Sequence, residues 1–162
     1  MKRRAFYKVG WSFNILGQYR EAETLLRRAL ERHEKVIGPD NSSTLTNVGN
    51  LGSVLDSRGQ YEEAEALYRR ALDGKEKVLG PDHQDTLVSV HNLGSFLDSQ
   101  GEYEGAGAIY RRALEGREKV LGPDHPGTVS SVNNLADVLK KYKRTEELGE
   151  IAKNQDASEQ IE

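Results

Sequence analysis

Apolar residues follow a helical period through most of the chain. Between residues 45 and 55 they recur at spacings of three, three, three and one, which places them along one stripe of an α-helix. They are Leu45, Val48, Leu51, Val54 and Leu55. A second stripe of this kind runs from Tyr61 to Leu79. Gly59 lies between the two stripes, and glycine readily takes the left-handed conformation that ends a helix. The pattern predicts a first helix (helix A), a tight turn and a longer second helix (helix B).

This unit recurs every 42 residues. Residues 44–85 and 86–127 are identical at 29 of 42 positions without a gap, where unrelated sequences would share roughly two or three. Gly-Pro-Asp separates successive units, and its aspartates Asp40, Asp82 and Asp124 are expected to cap the following helices. We expect one array over residues 1–152 and a polar tail over 153–162. The predicted repeats are 1–40, 41–82, 83–124 and 125–152.

The first and fourth repeats depart from the pattern to different degrees. The first keeps Gly17 in register with Gly59, so a turn is expected there. In the fourth repeat Lys143 stands at the position of the turn glycine, and a short second helix is expected. Within helix B, Gly74 and Gly116 mark either a bend or a close approach of two helices.

The repeated residues resemble the tetratricopeptide repeat. The resemblance is carried by Asn50-Leu51-Gly52, Leu55, Gly59, Tyr61, Ala64, Tyr68 and Ala71-Leu72. The 42-residue form, with Glu-Lys-Val-Leu-Gly-Pro-Asp-His between units, is similar to the repeats of kinesin light chains. It is also similar to the repeat arrays of fungal and bacterial nucleotide-binding signalling proteins of the NB-ARC/NACHT type. This resemblance implies an all-α fold, a right-handed α-solenoid of helix-turn-helix repeats, in which helix A lines a concave groove that binds protein partners.

Three asparagines occupy one position of helix A, at Asn50, Asn92 and Asn134. The resemblance implies that this asparagine binds the backbone of an extended peptide. The chemistry suits that role, because an amide side chain both donates and accepts hydrogen bonds. The alternative is that the asparagines bind a neighbouring helix or cap a turn.

Other polar residues of helix A are expected on the same face, giving a wall that is polar to acidic and becomes basic in the fourth repeat. They are Ser53, Ser95, Asp56, Asp98, His91, Asn133 and Asp137. The two aspartates Asp56 and Asp98 are candidates for attracting a basic ligand segment. The alternative is that they are solvated residues near helix ends.

Two further motifs have structural explanations. Paired arginines recur on helix B, as in Arg69-Arg70, but Glu65 lies four residues before Arg69 and predicts an ion pair within the helix rather than a nucleic-acid surface. His83 and His125 each lie beside an aspartate in a turn. One such pair supplies too few ligands for a metal, so these histidines are expected at helix starts.

Composition narrows the functional classes. The net charge of −3 lacks the basic excess of nucleic-acid binders, and the chain has no cysteine and no apolar run long enough to cross a membrane. No catalytic or nucleotide-binding motif is present, so we expect neither an enzyme nor a cofactor or metal. We predict a cytoplasmic scaffold for a protein or peptide ligand. The alternative is a spacer that self-associates end to end through exposed repeat ends, because near-identical repeats present similar surfaces.

Overall fold

The computed structural model describes the backbone of residues 3–159 and the side chains of residues 17–149. The described backbone forms six α-helices and no β-strand. The helices are α1 (Arg3–Val36), α2 (Ser42–Ser57), α3 (Tyr61–Leu79), α4 (Gln84–Ser99), α5 (Tyr103–Leu121) and α6 (Pro126–Glu159). They group into two compact units, Met1–Asn92 and Leu93–Glu162, and the division falls within α4. The predicted all-α helical repeat fold is confirmed.

In the first unit, α2 and α3 are helices A and B of the second repeat. Gly59 joins them with a φ of +74°, a conformation that is unfavourable for a residue with a Cβ atom. The predicted stripe is the core, since Leu45, Val48, Leu51 and Leu55 are at most 1% exposed. Helix B adds its own small residue, Ala64, to this interface.

Glycines let the two helices of a repeat approach closely. A Cβ atom on Gly52 would lie 3.3 Å from the carbonyl oxygen of Ala64. A Cβ atom on Gly74 would lie 2.8 Å from Cδ1 of Leu45, so Gly74 serves a close approach and not a bend. Its counterpart Gly116 is buried in α5.

In the second unit, α5 packs on α6, and the end of α4 packs on α5. Gly101 joins α4 to α5 with a φ of +79°, as Gly59 does one repeat earlier. The Tyr110 ring lies against Gly94, where a Cβ atom would be 2.9 Å from Cε1 of that ring. Val138 on α6 is fully buried and lies next to Gly107 of α5.

The first and fourth repeats are not helical hairpins. The turn expected at Gly17 is absent, because α1 runs through it as one helix of 34 residues. The expected short second helix of the fourth repeat is absent too, because α6 runs through Lys143 as one helix of 34 residues. Lysine disfavours the positive φ that Gly59 and Gly101 supply, so the backbone continues its helical hydrogen bonds. The region expected to be a polar tail is helical as far as Glu159.

The expected aspartate caps are also wrong by one residue. The side chain of Asn41 accepts a hydrogen bond from the backbone N–H of Ser43 at 2.9 Å. Nδ1 of His83 and Nδ1 of His125 accept from the N–H groups of Asp85 and Gly127, each at 3.1 Å. The aspartates lie too early in the turn to reach these N–H groups, whereas the expected placement of both histidines at helix starts is confirmed.

Candidate functional site

The candidate asparagine of the second repeat lies on the solvent face of helix A. Exposed residues recur along α2 at spacings of three and four, on the side opposite its buried leucines. They are Ser43, Thr46, Asn50, Ser53 and Ser57. No aromatic or charged side chain belongs to this stripe. The hydroxyls of Thr46 and Ser57 donate to the backbone oxygens of Ser42 and Ser53, whereas the amide of Asn50 is exposed and forms no hydrogen bond among the described residues.

The same register on α4 carries the second asparagine. Asp85, Val88 and Asn92 are exposed in the first unit, and Ser95 and Ser99 are exposed in the second. On α6, Asn134 is half-buried and already interacts within the protein, while Asn133 and Asp137 are exposed. The three asparagines therefore differ: Asn50 and Asn92 are the more accessible ones.

The serines that follow the asparagines bind buried tyrosines. Ser53 hydrogen-bonds the hydroxyl of Tyr68, and Ser95 hydrogen-bonds the hydroxyl of Tyr110. Burial is the main reason that the pKa of each tyrosine is raised, so both phenols stay protonated over the physiological range. These contacts fix the candidate face of helix A against helix B of the same repeat.

The two candidate aspartates have different surroundings. Nζ of Lys141 lies 2.9 Å and 2.8 Å from the two carboxylate oxygens of Asp98, and 2.9 Å from Oδ2 of Asp137. Asp56 forms no ion pair within the described part of the chain, and burial raises the pKa of its carboxyl. Lys141 therefore neutralises the carboxylate of Asp98 in the second unit, whereas the half-buried carboxylate of Asp56 has no cationic partner among the described residues.

In the second and third repeats, the position before the asparagine faces inward more than expected. Gly49 lies against the Cβ atom of Ala71, at 3.7 Å from an ideal Cβ position. His91, at the same position of the next repeat, is half-buried and interacts within the protein. A ligand bound along the exposed stripe of helix A would contact His91 only at the edge of that stripe.

A set of polar contacts at the junctions between repeats was missed from sequence. The amide of Asn47 donates to Nδ1 of His33 at 2.9 Å, joining α1 to α2. One repeat later, buried Lys75 donates to the backbone oxygen of Asp85 at 3.4 Å. In the second unit, Nη1 of Arg117 donates to Oγ of Ser131 at 2.6 Å. One register position of the repeat holds His33, Lys75 and Arg117. The 42-residue period could therefore have identified this polar position from the sequence.

The arginines of helix B are paired with glutamates. Arg69 binds Glu65 at 2.6 Å within α3, as expected from the sequence. Arg27 and Arg70 bind glutamates 36 residues away, at 2.7 Å and 2.6 Å, which joins α1 to α3. These cations are occupied within the protein rather than arrayed for phosphate groups.

The described residues contain neither a candidate membrane span nor a candidate metal site. Nowhere in residues 3–159 is a helix both long and apolar enough to pass through a membrane. Among the side chains of residues 17–149, no three histidine, aspartate or glutamate residues are grouped as metal ligands would be.

Comparison with known families explains the repeated pattern. A tetratricopeptide repeat profile matches residues 4–77 and 49–106, and a second tetratricopeptide repeat profile matches residues 86–127. The chain belongs to the tetratricopeptide repeat family. Tetratricopeptide repeats generally mediate protein–protein interaction, and their fold is typically non-enzymatic. A comparison with curated protein sequences gave no match.

Solved structures of tetratricopeptide-like repeats share the fold. The nearly identical repeats of a kinesin light chain-like protein from Podosopora anserina superpose with a TM-score of 0.72 at 22% identity, over 93% of this chain and 72% of that one. BtubC (BKLC) from P. vanneervenii superposes with a TM-score of 0.71 at 22% identity, over 88% of this chain and 58% of that one. The neighbours are thus kinesin light chain-like repeat proteins.

Proposed function

We propose that the chain is a protein-interaction scaffold whose helix A faces bind an extended peptide or a helix of a partner protein. The observation that carries this proposal is the exposed polar stripe of α2, with Asn50 at its centre and no competing intramolecular contact of that side chain among the described residues. A mid-helix asparagine costs helix stability relative to alanine, and a ligand contact would offset that cost.

Recognition would rest mainly on the peptide backbone. The amide of Asn50 can donate to a ligand carbonyl and accept from a ligand N–H, and Asn92 offers the same groups one repeat later. Such contacts hold a ligand in place without reading its sequence. Sequence preference would come from Asp56, which has no cationic partner among the described residues and so favours a basic ligand side chain.

A displayed random-peptide selection tests this proposal. Three baits are needed: the wild type, the Asn50→Ala/Asn92→Ala/Asn134→Ala variant, and an Asp73→Ala/Glu115→Ala control that alters exposed, equivalent positions of helix B. All three should first be matched in helicity and stability. Enrichment by the wild type and the control, and not by the triple variant, is the expected result. Equal enrichment by all three would place the ligand elsewhere and refute the role of the asparagines.

A further inference from the structure

The first half of α6 presents an apolar face that meets α5 only at its edge, where Leu139 lies near Gly107, and no other helix of the described residues packs on this face. Val129, Val132 and Leu139 are 46%, 45% and 42% exposed. Ala136 lies between them on the same face and is exposed as well. The neighbouring side of the same helix is buried, with Thr128, Ser131 and Val138 at most 1% exposed. Of these two adjacent sides of α6, only the second is covered.

These exposed positions belong to the core in the other repeats. Val129, Val132, Ala136 and Leu139 are equivalent to Leu45, Val48, Gly52 and Leu55 of α2. In the second repeat those four residues are buried beneath helix B of the same repeat. In the fourth repeat α6 continues straight through Lys143, so no helix B folds back over the face. The residues of α6 beyond Lys143 also make a poor helix B, because Leu148 replaces the small Ala64 and is 58% exposed.

The second half of α1 has the sequence of a helix B but lacks a helix A packed on it. Ala22, Leu26 and Ala29 are equivalent to Ala64, Tyr68 and Ala71, which helix A covers in the second repeat. In α1 these three residues are only half-buried, and the adjacent Leu25 is 58% exposed. This half of α1 thus carries the small-residue pattern of a helix B without a helix A packed on it.

We propose that the two faces pair between copies of the chain, so that α6 of one copy supplies helix A and α1 of a second copy supplies helix B of a composite repeat. Helices A and B of a repeat pack antiparallel, and the first half of α6 and the second half of α1 are long enough to pack in the same way. The pairing uses two different faces, so each copy keeps one open face and association continues from chain to chain.

A change in side-chain size at one contact position fits this pairing. Within a repeat, Gly52 faces the ring of Tyr68. Between copies, the glycine becomes Ala136 and the tyrosine becomes the smaller Leu26. The added Cβ atom is therefore matched by a loss of volume on the facing helix. At the other end of the pairing Arg32 stands where Gly74 meets Leu45 in the second repeat, so the two helices must lie farther apart there.

Sedimentation equilibrium over a range of concentrations tests this proposal with two blocked variants. Val132→Glu places a charge on the α6 face, and Leu25→Glu places one on the α1 face. Both residues are well exposed within one chain, so each variant is expected to remain as helical as the wild type. Ser130→Glu and Thr24→Glu are matched controls, because both are exposed neighbours on the same helices.

The weight-average mass of the wild type and of both controls is expected to increase with concentration, from 18.1 kDa to at least twice that value. Each blocked variant alone should stay at the mass of one chain. An equimolar mixture of the two should form a heterodimer and nothing larger, because it contains one usable pair of faces. A wild type that stays monomeric overturns the proposal. So does association by either blocked variant alone, which would show that identical faces, or other surfaces, pair instead.

Discussion

Nη1 of Arg117 donates a hydrogen bond to Oγ of Ser131 at 2.6 Å, between helix B of the third repeat and α6. Both residues are buried, at 8% and 1% exposure. The equivalent junctions of the first unit use a histidine with an asparagine, and a lysine with a backbone oxygen. One register position thus joins successive repeats through a different side chain each time: His33 accepts a hydrogen bond, whereas Lys75 and Arg117 donate one.

Replacing Ser131 by alanine should destabilise the second unit by about 1.5–3 kcal/mol, because a buried guanidinium would lose a hydrogen-bond partner. Chemical denaturation followed by circular dichroism measures this difference. Ser130→Ala is the matched control, since its side chain is exposed on the same helix. Equal stability of the two variants would show that the Arg117 contact contributes nothing at the junction.

Replacing Lys75 by methionine should stabilise the chain at neutral pH. Burial lowers the pKa of the Lys75 ammonium, so the wild type is less stable while this group is charged. That cost is present below the lowered pKa and disappears as the pH rises towards the ordinary lysine value of about 10.4. The stability difference between Lys75→Met and the wild type should therefore shrink between pH 7 and pH 10. A difference that stays constant with pH contradicts the burial argument.

Two glycines at one register position should respond oppositely to alanine. Gly59 has a positive φ, so Gly59→Ala should cost about 1–2 kcal/mol. Gly17 lies inside α1, where Gly17→Ala should add about 0.5–1 kcal/mol of stability. The measurement is the free energy of unfolding of each variant, compared with that of the wild type. Destabilisation by Gly17→Ala would mean that the first repeat folds as a hairpin with a turn at this position.

Neutralising the two candidate aspartates should affect ligand binding unequally. Asp56→Asn should weaken binding of a basic peptide, because Asp56 forms no ion pair among the described residues. Asp98→Asn should have a smaller effect, since Lys141 already binds that carboxylate. Isothermal titration of both variants with one enriched peptide compares them directly. Equal losses would show that the Lys141 contact opens when the ligand binds.

Sequence periodicity predicted much of this fold, and the reasons are local. The stripe from Leu45 to Leu55 and the turn at Gly59 follow from side-chain spacing and from glycine's conformational freedom. The straight course of α1 could not be predicted, because Gly17 permits a turn without requiring one. The cap positions also depend on how the Gly-Pro turn aims each side chain, which composition does not reveal.

The candidate site was predicted less completely than the fold. Register placed Asn50 and Ser53 on the exposed side of helix A, and the structure has both residues exposed. The pairing of Lys141 with Asp98 was missed because these residues are 43 positions apart and belong to different repeats. Sequence spacing alone does not specify which side chains meet across such a distance.

The dissociation constant of one enriched peptide tests the proposed peptide-binding face most directly. It should be measured for the wild type, for Asn50→Ala/Asn92→Ala/Asn134→Ala and for the Asp73→Ala/Glu115→Ala control. With about 0.5–1.5 kcal/mol lost per hydrogen bond, the triple variant should bind at least about tenfold more weakly, and the control should match the wild type. An unchanged dissociation constant for the triple variant would contradict backbone recognition by these asparagines.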